Sequence, residues 1–221
     1  MSHWKKWFEE NIGGKASFVN YIQEIWIYNK DLFYDIIGNR IKPPQEVLEI
    51  GCGTALEILA PLSANGLKVT GIDKEKDMVE FAKHNFKKLG LKGHFIHHDL
   101  FKYNTHKKFD LVLSVGLIEH FPRRKIVEII KIHKKLSKKW VVFIVPTKHQ
   151  RHNKKHRGVK YPNWVDLSFK DLSSISKKSG LKFVSKIAYG DIIRSDYVPP
   201  VISKIIRETG YAYTIGLICR I

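Results

Sequence analysis

Two rhythms of hydrophobic and polar positions run through the chain. Between residues 15 and 37, Phe18, Tyr21, Ile22, Ile25, Trp26, Leu32, Phe33, Ile36 and Ile37 recur at helical spacing, which predicts one or two amphipathic helices. Lys42-Pro43-Pro44 ends that pattern, because proline cannot continue a helix. Beyond it, short β-rich runs alternate with helical stretches in the manner of βαβ units. Strands are predicted at 47–50, 67–72, 94–97, 109–115, 140–145, 181–188 and 211–220. Helices are predicted at 55–64, closed by Asn65-Gly66, at 75–89, closed by Gly90, and at 123–136 and 168–179. Helices between the first five strands and a strand pair at the end predict an α/β fold: a doubly wound, mostly parallel seven-stranded sheet with N-terminal helices and an antiparallel last strand.

Composition narrows this picture. A chain of 221 residues with 43% hydrophobic side chains suits one sizeable core, so a single domain is expected, with 1–44 as an N-terminal helical lid segment before the sheet. Lys5, Lys6, Glu9 and Glu10 interrupt the start where a signal peptide would be apolar, and no run of about 18 apolar residues follows; a soluble, cytoplasmic protein is expected. Cys52 and Cys219, each in an apolar setting, read as small buried residues rather than a disulfide framework. The net charge of +18 is local, since residues 121–160 hold 14 Lys or Arg against one acid. That basic stretch is either a solvated face or a surface for an anionic partner.

The first strand runs into Glu49-Ile50-Gly51-Cys52-Gly53-Thr54, a glycine loop that opens a helix. The pattern reads Gly51-x-Gly53-x-x-Leu56, without the third glycine of a dinucleotide loop. Glu49 would disfavour a pyrophosphate over the loop and suits a cationic ammonium or sulfonium, which points away from a nicotinamide dinucleotide and toward S-adenosylmethionine. Asp73 ends the second strand, where a carboxylate can accept from two ribose hydroxyls, and Asp99 ends the third, where it can accept from an adenine amine. A lone strand-end Asp is commonly a turn residue. Three acids at the carboxyl ends of successive strands fall on the edge where open α/β sheets bind ligands.

Over residues 45–146, Glu49-x-Gly51-x-Gly53, Asp73, Asp99 and the run from Phe109 to Phe121 resemble the successive motifs of class I, Rossmann-like S-adenosylmethionine-dependent methyltransferases. The resemblance implies a methyltransferase domain at 45–221, with the methionine moiety of the donor at Gly51, the ribose at Asp73 and the adenine at Asp99. It implies that the backbone from Ser114 to Gly116 lines the methyl-transfer site. The full implied donor set is Glu49, Gly51, Cys52, Gly53, Asp73, Lys74, Met78, Asp99, Leu100, Ser114 and Gly116. Ser114-Val115-Gly116-Leu117 stands where enzymes that methylate base amines carry an Asn/Asp-Pro-Pro-Tyr-like turn, and the ending Leu117-Ile118-Glu119-His120-Phe121 resembles the branch that methylates O, N or C atoms of small molecules.

Glu119 and His120 form the candidate catalytic pair: His120 as general base, or the pair as metal ligands as in some quinone O-methyltransferases that look similar here, or both as a cap on the following helix that shapes the donor pocket. A base is optional, since the sulfonium is already an activated donor. His149, His152 and His156 share one helical face, but six interleaved Lys or Arg repel a cation, so no metal is expected. The same run, 147–160, is either a solvated insertion or a clamp for an anionic acceptor, with His149 and Arg151 as acceptor contacts and Tyr21 and Trp26 walling an apolar pocket. Two other functions fit part of the pattern. A tRNA or rRNA methyltransferase would explain the basic 121–160 face but not the fourth-strand motif. A non-catalytic cofactor-binding regulator is recommended by nothing degenerate in Glu49, Gly51, Gly53 or Asp73. The oligomeric state expected is monomer or homodimer.

Overall fold

The computed structural model describes residues 41, 44–151, 164–192 and 198–221. The expected N-terminal helices, with Tyr21 and Trp26, and the basic residues from 152 onward in the insertion lie outside the described residues. Seven strands form one sheet: β1 (Glu46–Ile50), β2 (Lys68–Asp73), β3 (His94–His97), β4 (Phe109–Val115), β5 (Ser137–Pro146), β6 (Lys182–Asp191) and β7 (Ala212–Arg220), in the order β3-β2-β1-β4-β5-β7-β6. The chain forms two compact units, Met1–His106 and Lys107–Ile221.

In the first unit β1, β2 and β3 pair in parallel, with Leu48 opposite Thr70 and Ile72 opposite Ile96. Val47, Leu48, Ile50, Val69 and Ile72 are all buried, as expected of parallel strands covered on both faces. Helix α2 (Lys76–Lys88) buries the stripe Met78, Val79, Ala82 and Phe86, and the Phe86 ring meets Phe95 of β3 edge-on at 4.7 Å. Helix α1 (Leu59–Ala64) starts four residues later than the sequence pattern predicts. The reason is local: Ala55 takes a left-handed φ of 59° and its amide closes a turn onto the Cys52 carbonyl, which no α-helix can contain.

In the second unit β4 and β5 are parallel, and β7 runs antiparallel to both β5 and β6, as the sequence pattern predicts for the last strand. A 3₁₀ turn, Ile118–His120, leads from β4 into α3 (Arg123–Leu136). Helices α4 (Lys148–Arg151), α5 (Phe169–Lys178) and α6 (Pro200–Glu208) complete the described elements. A capping box of Ser168 and Asp171 opens α5, and Arg123 of α3 pairs with the same Asp171. Helix α6 is not foreseen by the pattern, because its Val-Ile-Ser-Lys-Ile-Ile run is β-branched; Pro200 at its first position starts it instead.

Gly216 lies in β7 between Ile144 and Ile187, and a Cβ there would come within 2.6 Å of the Phe143 carbonyl oxygen and 2.8 Å of Ile144 Cγ1. Backbone cannot move aside as a flexible side chain can. Gly216→Ala should therefore lower unfolding stability by about 2 kcal/mol in urea titration, whereas an unchanged midpoint would mean that the strands separate more easily than their register suggests.

Candidate functional site

The first unit gathers its polar groups at the carboxyl ends of β1 and β2. After β1 the chain folds over the end of β2, and the amides of Gly51 and Cys52 both donate to the Ile72 carbonyl, at 2.8 and 3.1 Å. The loop then takes left-handed φ values at Gly51 (71°), Gly53 (49°) and Ala55 (59°). At the glycines this conformation is cheap, while at Ala55 it costs about 1 kcal/mol, so the surrounding contacts must enforce it.

Asp73 supplies much of that enforcement. Its Oδ2 accepts from the Gly53 amide and its Oδ1 from the Glu75 amide, each at 2.9 Å. One carboxyl thus holds the glycine loop to the start of α2, and each oxygen keeps a further lone pair for a ligand hydroxyl. Burial raises its pKa, and the two backbone hydrogen bonds pull the other way. Asn85 of α2 ties the loop from the far side, its buried amide donating to the Thr54 carbonyl at 3.0 Å.

Glu49 is only 4% exposed, and its Oε2 has no hydrogen-bond partner among the described residues. Burial pushes its carboxyl well above the ordinary range, and the charges of Glu57 and Asp73 push it further. Burial also raises the Glu57 carboxyl, half-buried in the turn before α1. The charges of Glu57 and Asp73 add negative potential at the buried Glu49 carboxyl, whose Oε2 is left open, and a cation is the ligand that would relieve it.

The other residues of the expected donor set lie differently. Cys52 is buried, and its sulfur fills the space over Gly71, where a Cβ would stand 2.6 Å from Sγ. Burial, then the charges of Asp73 and Glu49, hold its thiol well above the usual range, which suits packing and not nucleophilic chemistry. Met78 belongs to the buried stripe of α2. Lys74 is exposed, 3.8 Å from the Glu75 carboxylate, and its carbonyl lies 3.0 Å from His97 Nε2 at the end of β3. Asp99 is exposed and accepts from the Phe101 amide at 2.9 Å in an Asx turn, next to buried Leu100.

The second unit holds the remaining candidates. Ser114 is fully buried in β4 with no hydrogen-bond partner for its hydroxyl among the described residues. Gly116 takes a left-handed φ of 64°, and the Glu119 Oε1 would stand in ordinary contact, 3.6 Å, with a Cβ there. Glu119 is 1% exposed, with Oε1 3.7 Å from His120 Nε2. The His120 ring stands edge-on to Trp164 at 5.8 Å, and the Val165 amide donates to the Glu119 carbonyl at 2.8 Å. The imidazole is therefore held between a buried carboxyl and an indole, an arrangement that can orient a proton acceptor. The His149 ring packs on Tyr211 at 4.7 Å, and the Arg151 side chain is outside the described residues. Among the described residues no group of three or more His, Cys, Asp or Glu is placed to hold a metal ion, and no helix is long and apolar enough to cross a membrane.

Glu57 and Asn85 carry no sequence signal that marks them as site residues. Both fall inside runs whose periodicity predicts helix, where a polar residue reads as a solvated face.

Residues 47–139 match the family model described as a methyltransferase domain. The ubiquinone biosynthesis O-methyltransferase of Rickettsia canadensis is 35% identical over 75 residues, 34% of this chain and 31% of that protein. The pavine N-methyltransferase of Thalictrum flavum is 34% identical over 101 residues, 45% of this chain and 28% of that protein. The matched stretch thus spans about a third of the curated relatives. Among solved structures, a SAM-dependent methyltransferase from Archaeoglobus fulgidus aligns over 100% of both chains at 16% identity with a TM-score of 0.68. The magnesium protoporphyrin IX methyltransferase of Synechocystis, solved with bound SAM, aligns over 91% of this chain and 80% of its own at 18% identity, with a TM-score of 0.62.

Proposed function

We propose that this chain, which carries the methyltransferase domain over residues 47–139 in the fold of class I S-adenosylmethionine-dependent methyltransferases, transfers a methyl group from S-adenosylmethionine to an O, N or C atom of a small-molecule acceptor. The observation that carries the reading is the buried Glu49 carboxyl, with an open acceptor oxygen beside a glycine loop clasped by Asp73. That environment suits a ligand that is cationic at one end and bears ribose hydroxyls at the other. Glu49 and Glu57 would meet the cationic methionine end, Gly51 and Gly53 would let it approach the backbone, and Asp73 would accept from the ribose. Asp99 and Leu100 would border the adenine, with Lys74 and Met78 beside it, and Ser114 and Gly116 would line the transfer site.

The donor supplies an activated methyl: its C–S bond breaks as the acceptor's lone pair forms the new bond, leaving the thioether product, and the acceptor's proton departs to a base. His120 is the candidate base, with Glu119 as its positioning residue. The activities for which relatives are named, O-methylation in ubiquinone biosynthesis and N-methylation of pavine, support a small-molecule acceptor. An anionic acceptor held near the basic run at 147–160, a cytoplasmic location and a monomeric or homodimeric state complete the reading.

An RNA acceptor remains the second reading, favoured by the 14 basic residues in 121–160. Several of these cations are already engaged: Arg123 with Asp171, Lys125 with Glu128, and Lys134 with the Gly180 carbonyl at 2.6 Å. They are correspondingly less available to phosphates.

Calorimetry with S-adenosylmethionine and with its demethylated product tests the core of the proposal, and no heat at millimolar ligand would sink it. His120→Ala should leave donor binding intact and lower turnover about a hundredfold if the imidazole takes the proton. Extract fractions incubated with methyl-labelled donor separate the acceptor classes, since label in RNA alone would replace the small-molecule reading with the second one.

A further inference from the structure

Helix α6 is mounted with its polar side inward. Ser203 is buried and Arg207 half-buried where the helix packs on β6 and β7, while Val201, Ile202 and Ile205 are 70%, 48% and 58% exposed. Positions 201, 202 and 205 share one face of the helix, so the exposed aliphatic groups form a contiguous patch. A helix that serves only the core presents its apolar face to the sheet and its charges to water. This one sends Val201, Ile202 and Ile205 into water together with Lys204 and Glu208, and such an exposed aliphatic face marks an interaction surface.

The surroundings of the patch say what it fits. Exposed Lys204 stands on the same helix, whose other exposed ion is Glu208 at its end. Three residues past the helix terminus, Tyr211 is 40% exposed and carries the His149 ring at 4.7 Å. Thr147 fastens the same segment, its Oγ1 donating to the Ala212 carbonyl at 2.6 Å and its amide to the Tyr213 carbonyl at 2.8 Å. Exposed Lys148 is thereby held beside the segment that follows the aliphatic helix.

We propose that the outward aliphatic face of α6, together with Tyr211, Lys148 and Lys204, docks the protein on an anionic lipid surface. Aliphatic groups with adjacent cations and an amphipathic aromatic are the combination such a surface takes up: side chains enter the acyl boundary while ammonium groups meet the headgroups. A nucleic acid would use the cations and leave the isoleucines in water. A second copy would bring its own charge of +18 against the first. The proposal does not depend on the methyltransferase reading.

Co-sedimentation of the full chain with vesicles tests it. The chain should pellet with mixed phosphatidylcholine and phosphatidylglycerol vesicles, with roughly tenfold weaker partition into pure phosphatidylcholine. The double variant Ile202→Ser with Ile205→Ser should lose about tenfold on the mixed vesicles while keeping its thermal midpoint, because both side chains are already exposed. Lys148→Glu with Lys204→Glu should weaken binding comparably, and added salt should weaken it in the parent chain. If the serine variant fails to fold, Ile205→Trp decides: its added emission should shift to the blue on mixed vesicles, and no shift counts against insertion. The proposal is overturned if the parent chain stays in the supernatant, if the serine variant binds as the parent does, or if sedimentation equilibrium shows a dimer that the serine variant dissociates.

Discussion

Replacing Asp73 with alanine is expected to reduce S-adenosylmethionine binding at least about a hundredfold while the sheet stays folded. The carboxyl does two things at once. It accepts from the Gly53 and Glu75 amides, each at 2.9 Å, and it is the group proposed to receive the ribose. Hydrogen bonds to a charged acceptor are worth about 1.5–3 kcal/mol each, so losing the loop clasp alone can account for a hundredfold. The apolar residues of β1 and β2, Leu48, Ile50, Val69 and Ile72, are untouched, and far-ultraviolet circular dichroism should be preserved. Asp73→Asn keeps one carbonyl acceptor and should fall between parent and alanine variant. Donor binding by Asp73→Ala within a factor of ten of the parent would mean that the clasp is dispensable and the assignment of the donor edge is wrong.

The same residue illustrates how much a sequence can convey. The acid at the end of β2 is recognisable from its position, but its grip on Gly53 is not, because that contact joins residues twenty apart through a left-handed loop. The loop conformation in turn removes residues 55–58 from α1, whose apolar periodicity extends through them. Where apolar runs are bounded by strong turn signals, sequence and structure coincide: β3, β4 and α3 begin and end at the predicted residues. They diverge where local propensity points the wrong way, as in the β-branched helix α6, or where a polar residue in a helical pattern turns inward, as Asn85 does onto Thr54. Glu119 stands between these cases. Its place after β4 marks it as a candidate, and its burial beside His120 emerges only in the folded chain.

A second large effect is expected away from the site, at His133. The ring is fully buried on α3, with Nδ1–H donating to the Ile129 carbonyl at 2.8 Å and Nε2 without a hydrogen-bond partner among the described residues. Burial lowers its pKa from 6.5 to about 4, outweighing the Ile129 hydrogen bond, which acts in the opposite direction. In the unfolded chain the imidazole takes up a proton as pH falls through about 6.5, whereas the folded chain resists until about 4. Stability is therefore fully present above the unfolded value and is lost between pH 7 and pH 4, by about 3 kcal/mol from this one group. The raised carboxyls Glu49, Glu57 and Asp73 act in the opposite sense, favouring the folded state as they are protonated, so the parent curve alone would mix the two trends. His133→Leu separates them, because it removes the imidazole and leaves the carboxyls in place. Urea unfolding at a series of pH values should show parent and variant closest near pH 7 and diverging in the variant's favour toward pH 4. Parallel curves would mean that His133 is protonated in the folded protein, with water or a rearranged helix end reaching Nε2.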